Sequence, residues 1–210
     1  MSAVIAFSGA SNSGKTTLMD AMKKYCIEQH GEGSCMVLGE VIRKEPVDIN
    51  KIRQNPSEYL KKQVQWTGEK MRMERELFWI DKPRLVLIDR SLADSLFYIS
   101  FYIDKSQLSK EELKQFAFLY KEVSYTLQEH GRYVYTHLFA PAPIKKIDHD
   151  GYRYENLNIL QDIEYEEIIK NNEYFGLGHK MFKGHINEWY SNFEERELAL
   201  WVKNIINGKQ

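Results

Sequence analysis

The chain opens with a short apolar run, residues 3–7, whose β-branched members and abrupt polar boundary predict a buried strand. Over 15–29 the apolar positions take helical spacing instead, with Leu18, Met22 and Cys26 on one face, and the glycines Gly31 and Gly33 end the helix. Residues 35–38 form a second short strand. The stretch 44–56, with two prolines and many polar residues, reads as a loop. Ser57-Glu58 then signals the start of a long helix to about residue 80, in which Glu74 and Glu76 read as part of a solvated face. Leu85 to Ile88 is the most strand-like run in the chain, and an aromatic-rich helix over 92–102 follows. A further helix starts at Ser109-Lys110-Glu111-Glu112 and runs toward His130, and Tyr133 to Leu138 predicts a fourth strand. The spacing over 156–171 predicts a helix with Leu157, Leu160, Ile163 and Ile168 toward the core. A weakly patterned strand over 180–186 and a helix over 193–206 close the chain, with Glu194, Glu195 and Glu197 on a solvated face.

The order β-α-β-α-β-α-α-β-α-β-α predicts an α/β fold of three layers, a central parallel sheet of about five strands with helices on both faces. In such sheets ligands sit at the carboxyl ends of the strands. A length of 210 residues suits one such domain, and 43% hydrophobic and 13% aromatic residues supply a sizeable core. The formal net charge of −1 disfavours a surface that wraps nucleic acid. Cys26 and Cys35 are too few and too irregularly placed for a disulfide framework or a zinc site. His137, His149, His179 and His185 show no metal-ligand spacing. No apolar run approaches the ~20 residues that span a bilayer. Met1 leads straight into the first strand, so a cytoplasmic protein without a leader peptide is expected.

Candidate chemistry begins where the first strand ends. Gly9-Ala10-Ser11-Asn12-Ser13-Gly14-Lys15-Thr16, followed by Thr17, is a complete G-x-x-x-x-G-K-[ST] phosphate loop at the strand-to-helix junction the motif requires. Its glycines let the backbone turn its N–H groups inward around phosphate oxygens, and the following helix directs its positive end at the anion. Lys15 can reach the β/γ-phosphates and the Thr16 hydroxyl can ligate Mg²⁺. This pattern points to a bound nucleoside triphosphate.

Other polar residues lie just after the predicted strands and can converge on that loop. Asp89 follows the buried run 85–88, where a carboxylate can hold Mg²⁺ opposite Thr16, or simply cap a helix. Arg90 can brace a phosphate oxygen. Glu40 and Arg43 follow the second strand, and Glu40 is a candidate base for an attacking hydroxyl, with contact to a sugar as its alternative. Gln63 and Gln65 with Trp66 offer amides and a ring to a nucleobase, although an aromatic at helical spacing more often serves the core. The stretch 148–154 reads either as a turn with a solvated arginine or as a lid delivering Arg153 to the transferring group.

Together these motifs resemble small NadR-like P-loop kinases, the ribosylnicotinamide kinase domain and its relatives among the AAA-like ATPase domains. The resemblance is carried by Gly9 to Thr17, Gly39-Glu40 with Arg43, Asp89-Arg90-Ser91 with Asp94-Ser95, and Asp150-Gly151-Tyr152-Arg153, which looks like a D-G-x-R lid signature. Tyr190 with Glu195-Arg196-Glu197 and Ala199 looks like the family's C-terminal region. Asp89-Arg90-Ser91 is also similar to segments of deoxynucleoside and thymidylate kinases. The resemblance implies an ATP- and Mg-dependent phosphotransferase acting on a nucleoside, nucleotide or similar small hydroxyl compound. Glu40 then stands near the acceptor, and Arg90 and Arg153 near the phosphates; Arg43, Gln65 and Arg90 are expected as further acceptor contacts, although the segment from Gln63 to Trp66 matches no pattern of the family. NadR proteins carry a further adenylyltransferase domain, for which 210 residues leave no space. The expected organisation is one domain over 1–210, a helical segment at about 44–80 covering the substrate, and a lid at about 140–156. A homodimer is compatible with the sequence, and a nucleotide-dependent switch or ATPase and a nucleic-acid kinase are the alternatives.

Overall fold

Five strands, all hydrogen-bonded in parallel, form one sheet in the order β2-β3-β1-β4-β5. They are β1 (Ala3–Phe7), β2 (Cys35–Leu38), β3 (Leu85–Asp89), β4 (His137–Pro141) and β5 (Met181–Gly184). The intervening helices are α1 (Lys15–His30), α2 (Pro56–Glu76), α3 (Leu92–Ile103), α4 (Lys110–Tyr133) and α5 (Leu157–Tyr174). The computed structural model describes residues 3–10, 13–39, 55–77, 83–103, 108–144, 157–184, 200 and 203–204. The last three are helical, and the rest of the expected closing helix lies outside the described residues, as does the loop over 44–54.

β1 and β3 are buried at every position, so they read as continuous apolar runs. Successive side chains leave opposite faces of the sheet. Ala3, Ile5, Phe7, Leu85, Leu87 and Phe139 pack against Leu18, Met19, Met22 and Cys26 of α1. Val4, Ala6, Val86, Ile88 and Leu138 meet Leu92 and Leu96 of α3, Val123 and Leu127 of α4, and Met71 of α2. Helices therefore cover both faces, as the element order predicts. The register Phe7↔Asp89 brings the carboxyl ends of β1 and β3 level, setting the phosphate loop beside Asp89.

Four expectations are corrected. The long helix starts one residue before Ser57: Pro56 is its first residue and the Asn55 side chain caps it by accepting from the Glu58 N–H at 3.3 Å. The fourth strand spans His137–Pro141 rather than 133–138. Tyr133 still belongs to α4, and the Val134 and Tyr135 N–H groups both donate to the His130 carbonyl. Tyr135, 1% exposed, then enters the core as a plug between helix and strand. Ile168 is buried as expected, but Ile163 is 46% exposed, and the side chains of Leu157 and Leu160 lie outside the described residues. Glu76 is solvated and pairs with Arg72, whereas Glu74 is wholly buried.

Packing is close where α4 meets the turn after α5. A Cβ added to Gly131 would lie 2.8 Å from Leu177 Cδ2 and 3.4 Å from the Phe175 carbonyl. Gly131→Ala is expected to lower the unfolding free energy by about 1–3 kcal/mol through overpacking, despite the higher helix propensity of alanine. Urea denaturation reads this directly, and a stabilised variant would show that Leu177 yields freely.

Candidate active site

β1 ends at Phe7 and the chain turns at once into the loop. Gly9 has φ 118° and a Cβ there would meet the Pro141 carbonyl at 3.3 Å, so conformation and space both call for glycine. Gly14, at φ 83°, caps α1 in the left-handed region. Lys15 begins α1 yet is only 7% exposed. Its ammonium donates to the Gly9 carbonyl at 2.9 Å, the Ala10 carbonyl at 2.5 Å and Ser13 Oγ at 3.2 Å. Burial, and then the charge of Arg90, lower its pKa to about 8. An arriving phosphate acts in the opposite sense, favouring the protonated form. Thr16 and Thr17 lie exposed in the first turn of α1. Ser11 and Asn12 fall outside the described residues.

Asp94, named in the sequence only as part of a resemblance, is the hub of the described site. Its carboxylate accepts from Ser8 Oγ at 2.7 Å, the Gly9 N–H at 3.0 Å, the Ser91 N–H at 2.9 Å and Ser91 Oγ at 3.0 Å. It thereby fastens the loop after β1 to the turn after β3. The sequence signal was the helix position: Asp94 stands in the first turn of α3, where a carboxylate is favoured. The amide of buried Asn172 on α5 donates to Ser8 Oγ at 3.1 Å, joining a third element to the same point.

Arg90 occupies the left-handed region at φ 66°, which is costly for a residue with a Cβ. Its guanidinium lies 3.3 Å from Asp94 Oδ1 and 3.5 Å from Glu164 Oε1 of α5, and 5.3 Å from the centroid of the Tyr98 ring. Glu164 also accepts from the Tyr98 hydroxyl. Arg90 thus faces the loop, donating to the Gly9 carbonyl at 3.5 Å, within a buried arrangement of two carboxylates and an aromatic ring.

Asp89, 6% exposed, ends β3. It lies close enough to act on the charge of Lys15, the residue before Thr16. In donor type the Asp89 carboxylate and the Thr16 hydroxyl are the hard oxygens that Mg²⁺ takes in small number, leaving room for phosphate and water. Among the described residues, no three His, Cys, Asp or Glu side chains gather as an all-protein metal cage. The two residues fit a cation shared with a nucleotide.

On α2 the helical period decides which polar residues turn inward. Tyr59, Gln63, Trp66, Thr67, Lys70 and Glu74 form a buried stripe. Gln65 points away from it, exposed and 3.4 Å from Lys62 Nζ, so the inward-facing amide is that of Gln63. Gln63 donates to the Tyr59 hydroxyl at 2.9 Å. Trp66, edge-on to Tyr59, is 4% exposed and its indole N–H has no hydrogen-bond partner among the described residues. Glu40, Arg43 and Arg153 lie outside the described residues.

A glycine-bounded loop between a central parallel strand and a helix, with a buried lysine and a neighbouring strand-end aspartate, defines a P-loop nucleotide-binding domain. The chain belongs to the AAA domain family, whose sequence pattern matches residues 4–183. No curated protein matches it in sequence. Among solved structures it is similar to the NadR protein in complex with NR, with a TM-score of 0.60 and 16% identity over 100% of this chain and 52% of that one. It is also similar to deoxyadenosine kinase from M. mycoides with bound dATP, with a TM-score of 0.57 and 14% identity over 97% of this chain and 98% of that one. At these identities the likeness is one of fold. The chain spans about half the length of the NadR structure and nearly all of the kinase.

Proposed function

We propose that this protein is a P-loop kinase that transfers a phosphoryl group from ATP, with Mg²⁺, to a nucleoside, nucleotide or similar small hydroxyl compound. The observation that carries the reading is the meeting of Lys15, the loop carbonyls it bonds and Asp89 at the level carboxyl ends of β1 and β3. The fold shared with two proteins whose structures are described as NadR with NR and deoxyadenosine kinase with dATP supports it.

In this reading the loop from Gly9 to Thr17 holds the donor phosphates, and Lys15 exchanges its carbonyl partners for phosphate oxygens. Thr16 and Asp89 hold Mg²⁺, which when bound neutralises charge on the phosphates. Arg90 and Arg153 offset the charge developing on the transferred group, and Glu40 accepts the proton of the attacking hydroxyl. The segment 44–80 covers the acceptor, with Arg43 as a further contact. Within it the stripe of Gln63 and Trp66, whose buried indole N–H awaits an acceptor, replaces Gln65 as the surface offered to a base. The stretch 140–156 supplies the lid, although Ala140 and Pro141 belong to β4. The location in the cytoplasm follows from the same reading, and among the described residues no helix is long and apolar enough to cross a membrane.

The test is transfer of label from γ-labelled ATP, with Mg²⁺, to pooled nucleosides, deoxynucleoside monophosphates, nicotinamide riboside and short single-stranded DNA, with Lys15→Ala as the blank. Label on one small-molecule pool is expected. Label released only as free phosphate would replace the kinase with an ATPase or switch, and label on DNA would make it a nucleic-acid kinase. With the acceptor found, Arg153→Ala is expected to lower kcat by about 100-fold while the affinity for ATP changes little. Equal losses in both would remove Arg153 from the transferring group.

A further inference from the structure

Behind the turn that carries Asp89 and Arg90 lies a buried polar cluster. Glu74 of α2 is 0% exposed and surrounded by Lys70, His130 and Tyr135, all nearly as buried. Its Oε1 is 3.1 Å from Lys70 Nζ. Its Oε2 accepts from the Tyr135 hydroxyl at 2.6 Å and lies 2.8 Å from His130 Nδ1. Burial alone would push the Glu74 carboxyl up, but Lys70, His130 and Tyr135 together hold it below the usual range, so it stays ionised. A buried charge of this kind is costly to desolvate, and hydrophobic residues of similar volume often replace such clusters at no loss of stability.

What the cluster touches gives it a use. Lys70 Nζ donates to the Asp89 carbonyl at 3.2 Å, at the start of the turn. Leu92, at its end, lies in the same buried core cluster as Tyr135. Between these anchors the chain makes the left-handed step at Arg90, φ 66°. A non-glycine residue persists in that region only where its surroundings over-determine it. Both anchoring groups are in turn held by one carboxylate.

We propose that Glu74 is a positioning residue for the active site: through Lys70 it holds the start of the turn Asp89–Leu92, and through Tyr135 the core cluster in which Leu92 ends it, and so fixes the carboxylate offered to the metal and the guanidinium offered to the phosphates. This rests on the kinase reading for its consequence, and for its geometry on the Lys70–Glu74 ion pair, the hydrogen bonds of Lys70 and Tyr135, and the packing of Leu92. Glu74→Gln keeps the shape and removes the charge that holds Lys70. Tyr135→Phe removes a single hydroxyl and keeps the packing, and serves in its place should the glutamine variant fail to unfold cooperatively.

Two measurements on the full chain test it. In hydrogen exchange the Ser91 and Leu92 amides are expected to exchange at least about tenfold faster in the variant, with the β1 amides unchanged. In calorimetric titration with ATP, binding in EDTA is expected to match the parent protein, while the tightening produced by Mg²⁺ shrinks by about tenfold or more, the effect usual for groups that orient a metal ligand. A folded variant with parental exchange at Ser91 and Leu92 overturns the geometry. Altered exchange with undiminished tightening by Mg²⁺ overturns the positioning role. A parent protein that binds no ATP refutes the kinase reading instead, and the exchange result still decides whether Glu74 holds the turn.

Discussion

Lys15→Met is expected to abolish nucleotide binding without weakening the fold. The ammonium is buried, its pKa is lowered to about 8 by desolvation and then by Arg90, and it is held by two backbone carbonyls and a hydroxyl. Methionine keeps nearly the same volume and removes the charge. Losing the hydrogen bonds costs about 1–3 kcal/mol, and relief of desolvation and of repulsion by Arg90 returns an amount of the same order. The melting temperature should therefore stay within about 5 °C of the parent. Affinity for ATP should fall at least about 100-fold, or roughly 3 kcal/mol, because Lys15 is the one cation belonging to the loop among its described residues, and Arg90 reaches the loop only from the turn after β3. Calorimetric titration and a thermal scan read the two effects separately. Retained affinity would show that the loop amides alone hold the phosphates.

Asp94→Ala is expected to act the other way round, on the fold first. The variant leaves the Ser8 hydroxyl and the Gly9 and Ser91 N–H groups without their acceptor, leaves the Ser91 hydroxyl to Ser8 Oγ, and leaves Arg90 to Glu164 and the Gly9 carbonyl. Removing one member of so buried a charged network typically costs about 3–5 kcal/mol, a large part of the roughly 5–15 kcal/mol that holds a domain folded. Asp94→Asn should cost less and still exceed about 1 kcal/mol, because one side of its amide presents donors to groups that themselves donate. Guanidinium denaturation gives both values. An alanine variant within about 1 kcal/mol of the parent would mean that water replaces the carboxylate.

The strands and the phosphate loop were legible because each is written locally. A strand buried on both faces is a continuous apolar run, as in Leu85 to Ile88, and the loop is a fixed string of residues with a mechanism attached. The fourth strand was misplaced because Val134 and Tyr135 look like strand residues but plug the core after a helix end, and pairing starts only at His137 against Ile5. Glu74 was misjudged for a different reason. A glutamate beside other charges suggests solvent, yet it continues the stripe of Tyr59, Gln63, Trp66 and Lys70, and the helical period carried that signal. The same period sets Gln65 outside and Gln63 inside. Asp94 was the least legible, because its partners at Ser8 and Gly9 lie more than eighty positions away and only the sheet brings them together.

The bond between Asp94 and the Gly9 amide also bears on how the molecule comes apart. The loop after β1 and the first turn of α3 share one carboxylate at the middle of the sheet, so neither keeps its shape without the other. Fraying of β5 at the sheet edge leaves that junction whole, whereas release of α3 from β1 dismantles it together with the core. The capacity to hold a phosphate and the cooperative unit of the domain are one and the same, and no half-folded fragment inherits the first after losing the second.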